Sequence, residues 1–361
     1  MSGTVGTNSS RGSGSIGDAA AGPTVSSSDP VITTNAALGT QWANSTSGEF
    51  YICTTDTTNE NVWTNVGAGS GDIRPRGYGG LVSGYVMGKY PATNQIQKFS
   101  FTSDGNTVDA GDLSVTKTHA TGAQSLTHGY SAAGVGTVVI DKFEFSSDGD
   151  SSDVGDCTQV AEGPAGCTAN NEYSYCAGGN PQTPEKGIEK YSLTSDGNAA
   201  NIGNLTVKRM AVAGCSSGDF GYCTGGHGPP RYNTIDKFSF TSDGNSVDVG
   251  DIDMGIDTGL CGASAANYGY VAGGVGNLDN IEKFSFASGT QNGAAVGNLS
   301  AGHSNTGAYS AGLSSDTYGY CAGGGTPQVN TVDKWSFSSD GNASDVGDCL
   351  SVIYYVAGTH Y

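Results

Sequence analysis

One unit is written six times along the chain. Each copy carries a Gly-Tyr-x-Ala-Gly-Gly element, a variable stretch, an Ile-Asp-Lys-Phe-Ser-Phe element, a Ser-Asp-Gly-Asn turn and a closing Val-Gly-Asp, with local substitutions. The lysines of the middle element are Lys98, Lys142, Lys190, Lys237, Lys283 and Lys334, spaced by 44, 48, 47, 46 and 51 residues. Self-similarity at that period excludes a single irregular core, because each unit must bury its apolar face against its neighbours. Four short strands fit one period, the size of one propeller blade.

Composition narrows the class further. With 59 glycines and only 36% apolar residues, long amphipathic helices are not expected, and short strands with tight turns are. The formal charge of -19 opposes both nucleic acid and an anionic membrane surface. Met1 is followed by Ser2, Gly3, Thr4 and Val5, so the start predicts neither a secretory signal nor a spanning helix, and synthesis in a host cytoplasm is expected.

The repeat supplies its own control for the nine cysteines. Cys176, Cys223 and Cys321 occupy the slot of Val86 and Val271, while Cys157 and Cys349 occupy that of Leu113, Leu205 and Leu299. They read as small, reduced core residues. Cys215 and Cys223, on adjacent strands of one hairpin, are the pair expected to bridge if any does.

Residues 1–36 form a low-complexity arm or anchor, 37–66 an aromatic three-strand module, 67–74 a linker, and 75–361 the repeat array. Within a repeat the first strand is an Ala-Gly element such as Met210-Ala211-Val212-Ala213-Gly214. The second is Gly-Tyr-x-Ala-Gly-Gly, the third Ile-Asp-Lys-Phe and the fourth Val-Gly-Asp. Ile353-Tyr354-Tyr355-Val356-Ala357-Gly358 gives a further copy of the first strand at the C-terminus. An unpaired strand needs a blade to join. The expected fold is therefore an all-β propeller of seven four-stranded blades, in which the 37–66 strands and the C-terminal strand form a composite closing blade; six blades is the alternative.

The order of an Ala-Gly strand, an aromatic strand ending in a double glycine (Tyr222-Cys223-Thr224-Gly225-Gly226) and an aromatic third strand resembles the kelch repeat of β-propellers. The wording of the repeats is similar to that of kelch-like repeats in tail-fibre and virion structural proteins of tailed phages. The segment from Leu38-Gly39-Thr40 to Trp63-Thr64-Asn65 also resembles a short module of phage fibre proteins. The resemblance covers about 37–361. It implies a non-enzymatic virion protein, tail- or fibre-associated, that contacts a host-surface glycan or receptor and assembles in several copies. The alternative is a protein that decorates or cements a capsid, tail or filament and binds only other virion proteins. The fourth strand departs from the kelch pattern, with Val-Gly-Asp where a tryptophan is expected.

The Asp-Gly turns offer clustered oxygens at Asp104, Asn106 and Asp109. Asp-Gly is also the preferred centre of a tight hairpin, and no bidentate Glu follows at loop-closing distance, so hairpins are expected rather than calcium sites. They do not match the Asp-boxes of sialidases, since no residue separates Asp from Gly and no Trp follows. The recurrent acid-lysine pairs, from Asp141-Lys142 to Asp333-Lys334, read as structural, each ammonium answered by an Asp of the Val-Gly-Asp element. His119, His128, His227, His303 and His360 have no metal-ligand spacing. No catalytic residue, metal or cofactor is expected.

In a four-stranded meander, the turns joining strands one to two and three to four lie at one end of the sheet. The loops joining two to three and four to one lie at the other. These are called here the turn end and the loop end. The turns between strands three and four are nearly uniform, whereas the loops between two and three vary in length and chemistry: Lys89-Tyr90-Pro91-Ala92, Asn180-Pro181-Gln182-Thr183-Pro184, His227-Gly228-Pro229-Pro230-Arg231-Tyr232. A rigid frame that varies one end is arranged for recognition. Tyr90, His227, Arg231 and Tyr232 are the candidate ligand-binding residues, with a glycan among the expected partners because tyrosine stacks on sugar faces. The other expected partners are virion proteins held through the N-terminal arm and a host protein. Neither nucleic acid nor membrane insertion is expected, and the expected location is the virion.

Overall fold

The structure is a computed structural model that describes residues 22–56, 58, 61–66, 80–169, 172–179, 187–228, 231–252, 260–274, 279–287, 291–300, 310–325 and 328–361. It is all-β, with seven four-stranded sheets. The chain falls into two compact units, Met1–Pro75 and Arg76–Tyr361. Most of the arm, the 67–74 linker and the Asn180 to Pro184 loop lie outside the described residues.

The first unit contains one sheet, in the order Thr24–Ser26, Gln41–Asn44, Phe50–Thr55, Val62–Asn65. The first two strands pair in parallel and the rest antiparallel. Tyr51, Cys53 and Trp63 form its buried core, with Trp42 edge-on to Trp63 at 5.8 Å. Its fourth strand therefore comes from Thr24–Ser26, inside the segment expected to be an arm.

The second unit contains six antiparallel meanders. Sheet 1 is Ala357–His360, Ser83–Met87, Thr93–Ser100, Val108–Lys117. Sheets 2 to 6 follow in sequence at 121–156, 165–204, 213–251, 260–298 and 311–348. The expected composite closing sheet is thus corrected. The C-terminal strand pairs with Ser83–Met87, with Gly358 opposite Val86, and not with the 37–66 strands. The physical reason is economy of partners: among the described residues before Ser83 only Gly80 makes a bridge in this unit, to Ser315, and Ala357–His360 takes the place of inner strand beside Ser83–Met87. The preceding Ile353 to Val356 are loop rather than strand.

Each sheet is buried on both faces, which explains why strict alternation fails in the third strand. Ile235 and Asp236 are both buried, and the pairing with the outer strand slips between them. Three contacts join each sheet to the next. The second-strand tyrosine of one sheet meets the third-strand aromatic pair of the following one: Tyr85 with Phe143 and Phe145, Tyr175 with Phe238 and Phe240, Tyr222 with Phe284 and Phe286, Tyr270 with Trp335 and Phe337. Tyr320 of sheet 6 meets Phe99 and Phe101 of sheet 1 in the same way. Such a pair contributes about 0.5–1.5 kcal/mol beyond the burial of its area.

The second contact runs along the inner strands. A Cβ on Gly166, Gly214, Gly262, Gly312 or Gly358 would strike the backbone oxygen of the inner-strand glycine one sheet earlier, and one on Gly122 would strike that of Gly358. Only glycine allows that approach. Beside it, the N–H groups of Thr168, Ser216 and Ser264 donate to Ser216, Ser264 and Ser314 Oγ at 3.0, 2.9 and 2.8 Å. At sheet 1, Ser314 N–H donates to His360 Nδ1 and Thr359 Oγ1 donates to Ala123 O.

The third contact is made by the Ser-Asp-Gly-Asn turn, which clasps the outer strand of the preceding sheet. The N–H groups of Asp112, Asp156, Asn204, Asp251, Asn298 and Asp348 donate to Oδ1 of Asp150, Asn198, Asn245, Asn292, Asn342 and Asn106 at 3.0–3.1 Å. The glycine of Val-Gly-Asp sits under the backbone of that turn, so a tryptophan in its place is neither needed nor tolerated. The lysines join the same clasp. Lys98, Lys142, Lys190, Lys283 and Lys334 pair with Asp148, Asp196, Asp243, Asp340 and Asp104 at 2.6–2.9 Å. The acid that answers these five lysines thus belongs to the turn of the next sheet and not to Val-Gly-Asp, because the docking of the sheets brings that turn to the ammonium.

The nine cysteines are free and buried. Cys223 stands opposite Gly214, and Cys215 opposite Tyr222. The Cys215 thiol donates toward Ala263 and Tyr270 carbonyls of the next sheet, so the Cys215 to Cys223 bridge is not made.

Candidate functional site

The loop end is built on buried charge. The acid of each Ile-Asp-Lys element is buried, and four of the five reach back to the outer strand of the preceding sheet or the residues just after it. Asp141 accepts from Ser114 N–H, Glu189 from Thr158 N–H and Oγ1, Asp236 from Thr206 N–H and Oγ1, Asp333 from Ser300 N–H and Oγ. In sheet 1 the neutral Gln97 takes the place, accepting from Leu350 N–H at 2.9 Å. Burial alone would raise the Asp141 carboxyl, but the Lys117 ammonium and the Ser114 and Ser151 donors outweigh it and hold the group below its usual range.

Two buried cations then pin the loops between strands two and three. Lys117 Nζ lies 2.9 Å from Asp141 and donates to Ser131 and Val139 carbonyls at 2.7 Å. Arg209 pairs with Asp236 at 3.0 Å and donates to Cys223, Gly225 and Thr234 carbonyls at 2.9, 2.8 and 2.7 Å. Both cations are fully buried, so each loop leaves its sheet from a fixed point.

Arg209 therefore anchors the loop that carries three of the four sequence-derived candidates. His227 pairs with Met210 through reciprocal N–H to carbonyl bonds of 2.7 and 3.0 Å. Arg231 is exposed and Tyr232 half-buried, the latter donating its N–H to Gly226 O. Tyr90 is in sheet 1 and the other three are in sheet 4, three sheets further along the chain. The structure brings His227, Arg231 and Tyr232 onto one loop and does not bring Tyr90 to them.

Tyr90 has other neighbours. It is 49% exposed and lies 5.6 Å from Tyr354 and 6.1 Å from Tyr355, ring centre to ring centre. Tyr354 and Tyr355 are 5.1 Å apart, and Tyr355 stacks on His119 at 3.7 Å with planes 21° apart. Four rings thus converge from three loops: 88–92 in sheet 1, 349–356 before its inner strand, and 118–120 leading to sheet 2. Lys89 Nζ donates to Ser351 Oγ at 2.7 Å beside them, and Glu162 Oε1 lies 3.7 Å from His119 Nε2. Burial lowers the His119 pKa to about 4, so the ring is neutral at neutral pH.

Sequence reasoning missed Tyr354, Tyr355 and His119, which were read as strand or as unremarkable. The available signal is a position in the repeat. His119, Gly163, Ala211 and Tyr355 each stand three residues before the inner-strand glycine, all with φ between 59° and 65°. Their backbones link in series, His119 N–H to Tyr355 O, Gly163 N–H to His119 O and Ala211 N–H to Gly163 O. This left-handed conformation favours glycine and costs a bulky residue about 1–2 kcal/mol. Two aromatic residues occupy the slot where small ones suffice. Beside it opens a cavity of about 80 Å³ lined by inner-strand residues including His119, Gly166, Gly214, Gly262 and Gly312.

Among the described residues no group of three or more His, Cys, Asp or Glu side chains converges in a way that could hold a metal, and no helix is long and apolar enough to cross a membrane. Neither protein-family models nor curated proteins give a match to this sequence.

Proposed function

We propose that residues 76–361 close into a six-bladed propeller of kelch-like type, and that the chain is a non-enzymatic virion component of a tailed phage that presents its loop end to a host surface. Closure is supported by the position of Ala357–His360 beside Ser83–Met87 and by the approach of Gly122 to Gly358. The phage setting rests on the resemblance of the repeats and of the 38–65 segment. The non-enzymatic reading is supported by the commitment of Asp141, Glu189, Asp236 and Asp333 to loop N–H and hydroxyl groups, which leaves them no role toward a substrate.

The observation that carries recognition is the convergence of Tyr90, Tyr354, Tyr355 and His119 from three loops. The N-terminal arm is proposed to hold other virion proteins, with several copies per particle. The test is imaging of intact particles carrying a label at Tyr361, combined with adsorption assays. Label at a tail or fibre tip, with adsorption lost in loop-end variants and assembly intact, is the expected result. Label spread over a shell or shaft, with particles that fall apart without the protein, overturns it in favour of cementing.

A further inference from the structure

The aromatic cluster restricts what it can bind. Its three tyrosine rings touch one another, at centroid distances of 5.1, 5.6 and 6.1 Å. Rings in mutual contact leave no hole between them, so the cluster is not a cage for a methylated ammonium, which needs aromatic walls around an open centre. It is a stepped surface, with Tyr90 half-exposed and Tyr355 stacked on His119, which lines the inner-strand cavity. The cavity, about 80 Å³, is smaller than the roughly 150 Å³ that takes a benzene ring, so a sugar ring does not enter it. A ligand must lie on the rings instead.

Flat ligands differ in charge and edge chemistry. Nucleotides and acidic sugars are repelled by a chain of net charge -19, with the Glu162 carboxylate at the cluster's edge. A neutral pyranose has one face of C–H groups for the rings and a rim of hydroxyls. Glu162 accepts hydrogen bonds there, and Ser351 and Lys89 add a hydroxyl and a donor. We propose that Tyr90, Tyr354 and Tyr355 form a stacking subsite for a neutral pyranose, with the buried His119 ring packed against Tyr355 and Glu162 accepting from the sugar hydroxyls. The inference rests on recognition by the loop end and names its ligand class and place.

The test uses the full chain and saturation-transfer NMR with methyl glycosides of glucose, galactose, mannose and N-acetylglucosamine, against sialyllactose and phosphocholine. The expected result is transfer to the C–H face of at least one neutral glycoside. Binding should fall at least tenfold in Tyr90→Ala and Tyr90→Leu and stay unchanged in Tyr268→Ala, an exposed tyrosine at the turn end. Tyr90→Leu keeps apolar volume without a ring face, and unchanged thermal unfolding shows that the variants fold. The proposal is overturned by no neutral glycoside binding, by preference for sialyllactose or phosphocholine, or by binding that survives both Tyr90 variants. Particle adsorption that depends on Tyr232 and Arg231 but not on Tyr90 overturns this subsite and leaves loop-end recognition standing. Glycoside binding that depends on Tyr90, with adsorption indifferent to every loop-end variant, sustains the subsite and removes the host-recognition role.

Discussion

At the turn end, each sheet is held to the next by short exposed groups that recur with little change: an asparagine or aspartate oxygen on a backbone N–H, and a lysine on an aspartate. At the loop end, the same succession of sheets is held by buried groups that differ from junction to junction. The acid is Asp141, Glu189, Asp236, Glu282 or Asp333, replaced once by Gln97, and its cation is Lys117 at one junction and Arg209 at another. Repetition at the turn end keeps the spacing of the sheets regular. Burial at the loop end lets the loops above diverge, because their stems are fixed beneath the surface.

The comparison breaks most completely if the C-terminal strand is removed. A chain ending at Val356 loses the inner strand of sheet 1 and exposes the backbone edge of Ser83–Met87. The loss is expected to exceed the net stability of about 5–15 kcal/mol that a domain holds, so the variant should show no cooperative unfolding by circular dichroism. Removing residues 1–75 should leave the melting of the second unit unchanged. A sharp fall there would restore the composite sheet of 37–66 and the C-terminal strand.

Next in size is the buried pair beneath the Arg231 loop. Asp236→Ala leaves Arg209 charged and uncompensated among the carbonyls of Cys223, Gly225 and Thr234. Breaking such a pair costs about 3–5 kcal/mol, measured as a shift in urea midpoint at constant slope. Asp196→Ala at the turn end removes an exposed pair with Lys142 and should cost at most about 1 kcal/mol, less in high salt. Equal costs at the two positions would abolish the distinction between the ends.

The repeat made the four-strand unit legible, because Gly, Tyr, Phe and Asp-Gly recur at fixed offsets and each has one physical role. It did not reveal which strand joins which across the termini: Ile353 to Gly358 matches a first strand in wording, and the actual strand is Ala357–His360. Nor did it show which acid answers each lysine, since the Asp of the next turn and that of Val-Gly-Asp are alike in sequence and separated only by the docking of sheets. Tyr90 was named as a candidate from its loop alone. Tyr354, Tyr355 and His119 were hidden because the slot they share is defined by a backbone angle and not by a residue type.

His119 sharpens the comparison through pH. Its folded pKa of about 4 lies below the ordinary histidine value of 6.5, and burial is the cause. Above about pH 6.5 both folded and unfolded chains carry a neutral ring. As pH falls from there to about 4 the unfolded chain binds a proton that the folded chain refuses, so stability declines across that window by up to about 3 kcal/mol. His119→Phe keeps a ring against Tyr355 and should remove this part of the decline. Denaturant titrations of both proteins at pH 7 and pH 5 check it, and identical slopes would place His119 in contact with water.

The smallest effect is internal to the turn end. Five of the six repeat lysines have an aspartate partner in the next turn, and for the sixth, Lys237, the corresponding sequence is Ser288-Gly289-Thr290, without an aspartate. Lys237 lies 3.9 Å over the Phe220 ring, and burial lowers its pKa. Its stem covers apolar surface, and its charge gains less than that of Lys190, which has both Tyr173 beneath it and Asp243 at 2.9 Å. Lys190→Met is expected to destabilise by a few tenths of a kcal/mol to about 1, with the difference shrinking in salt. Lys237→Met, which keeps the stem and discards a charge already disfavoured by burial, should be neutral or slightly stabilising and insensitive to salt. If the two substitutions cost the same, the aspartates contribute nothing, and the turn end is held by the asparagine and backbone bonds alone.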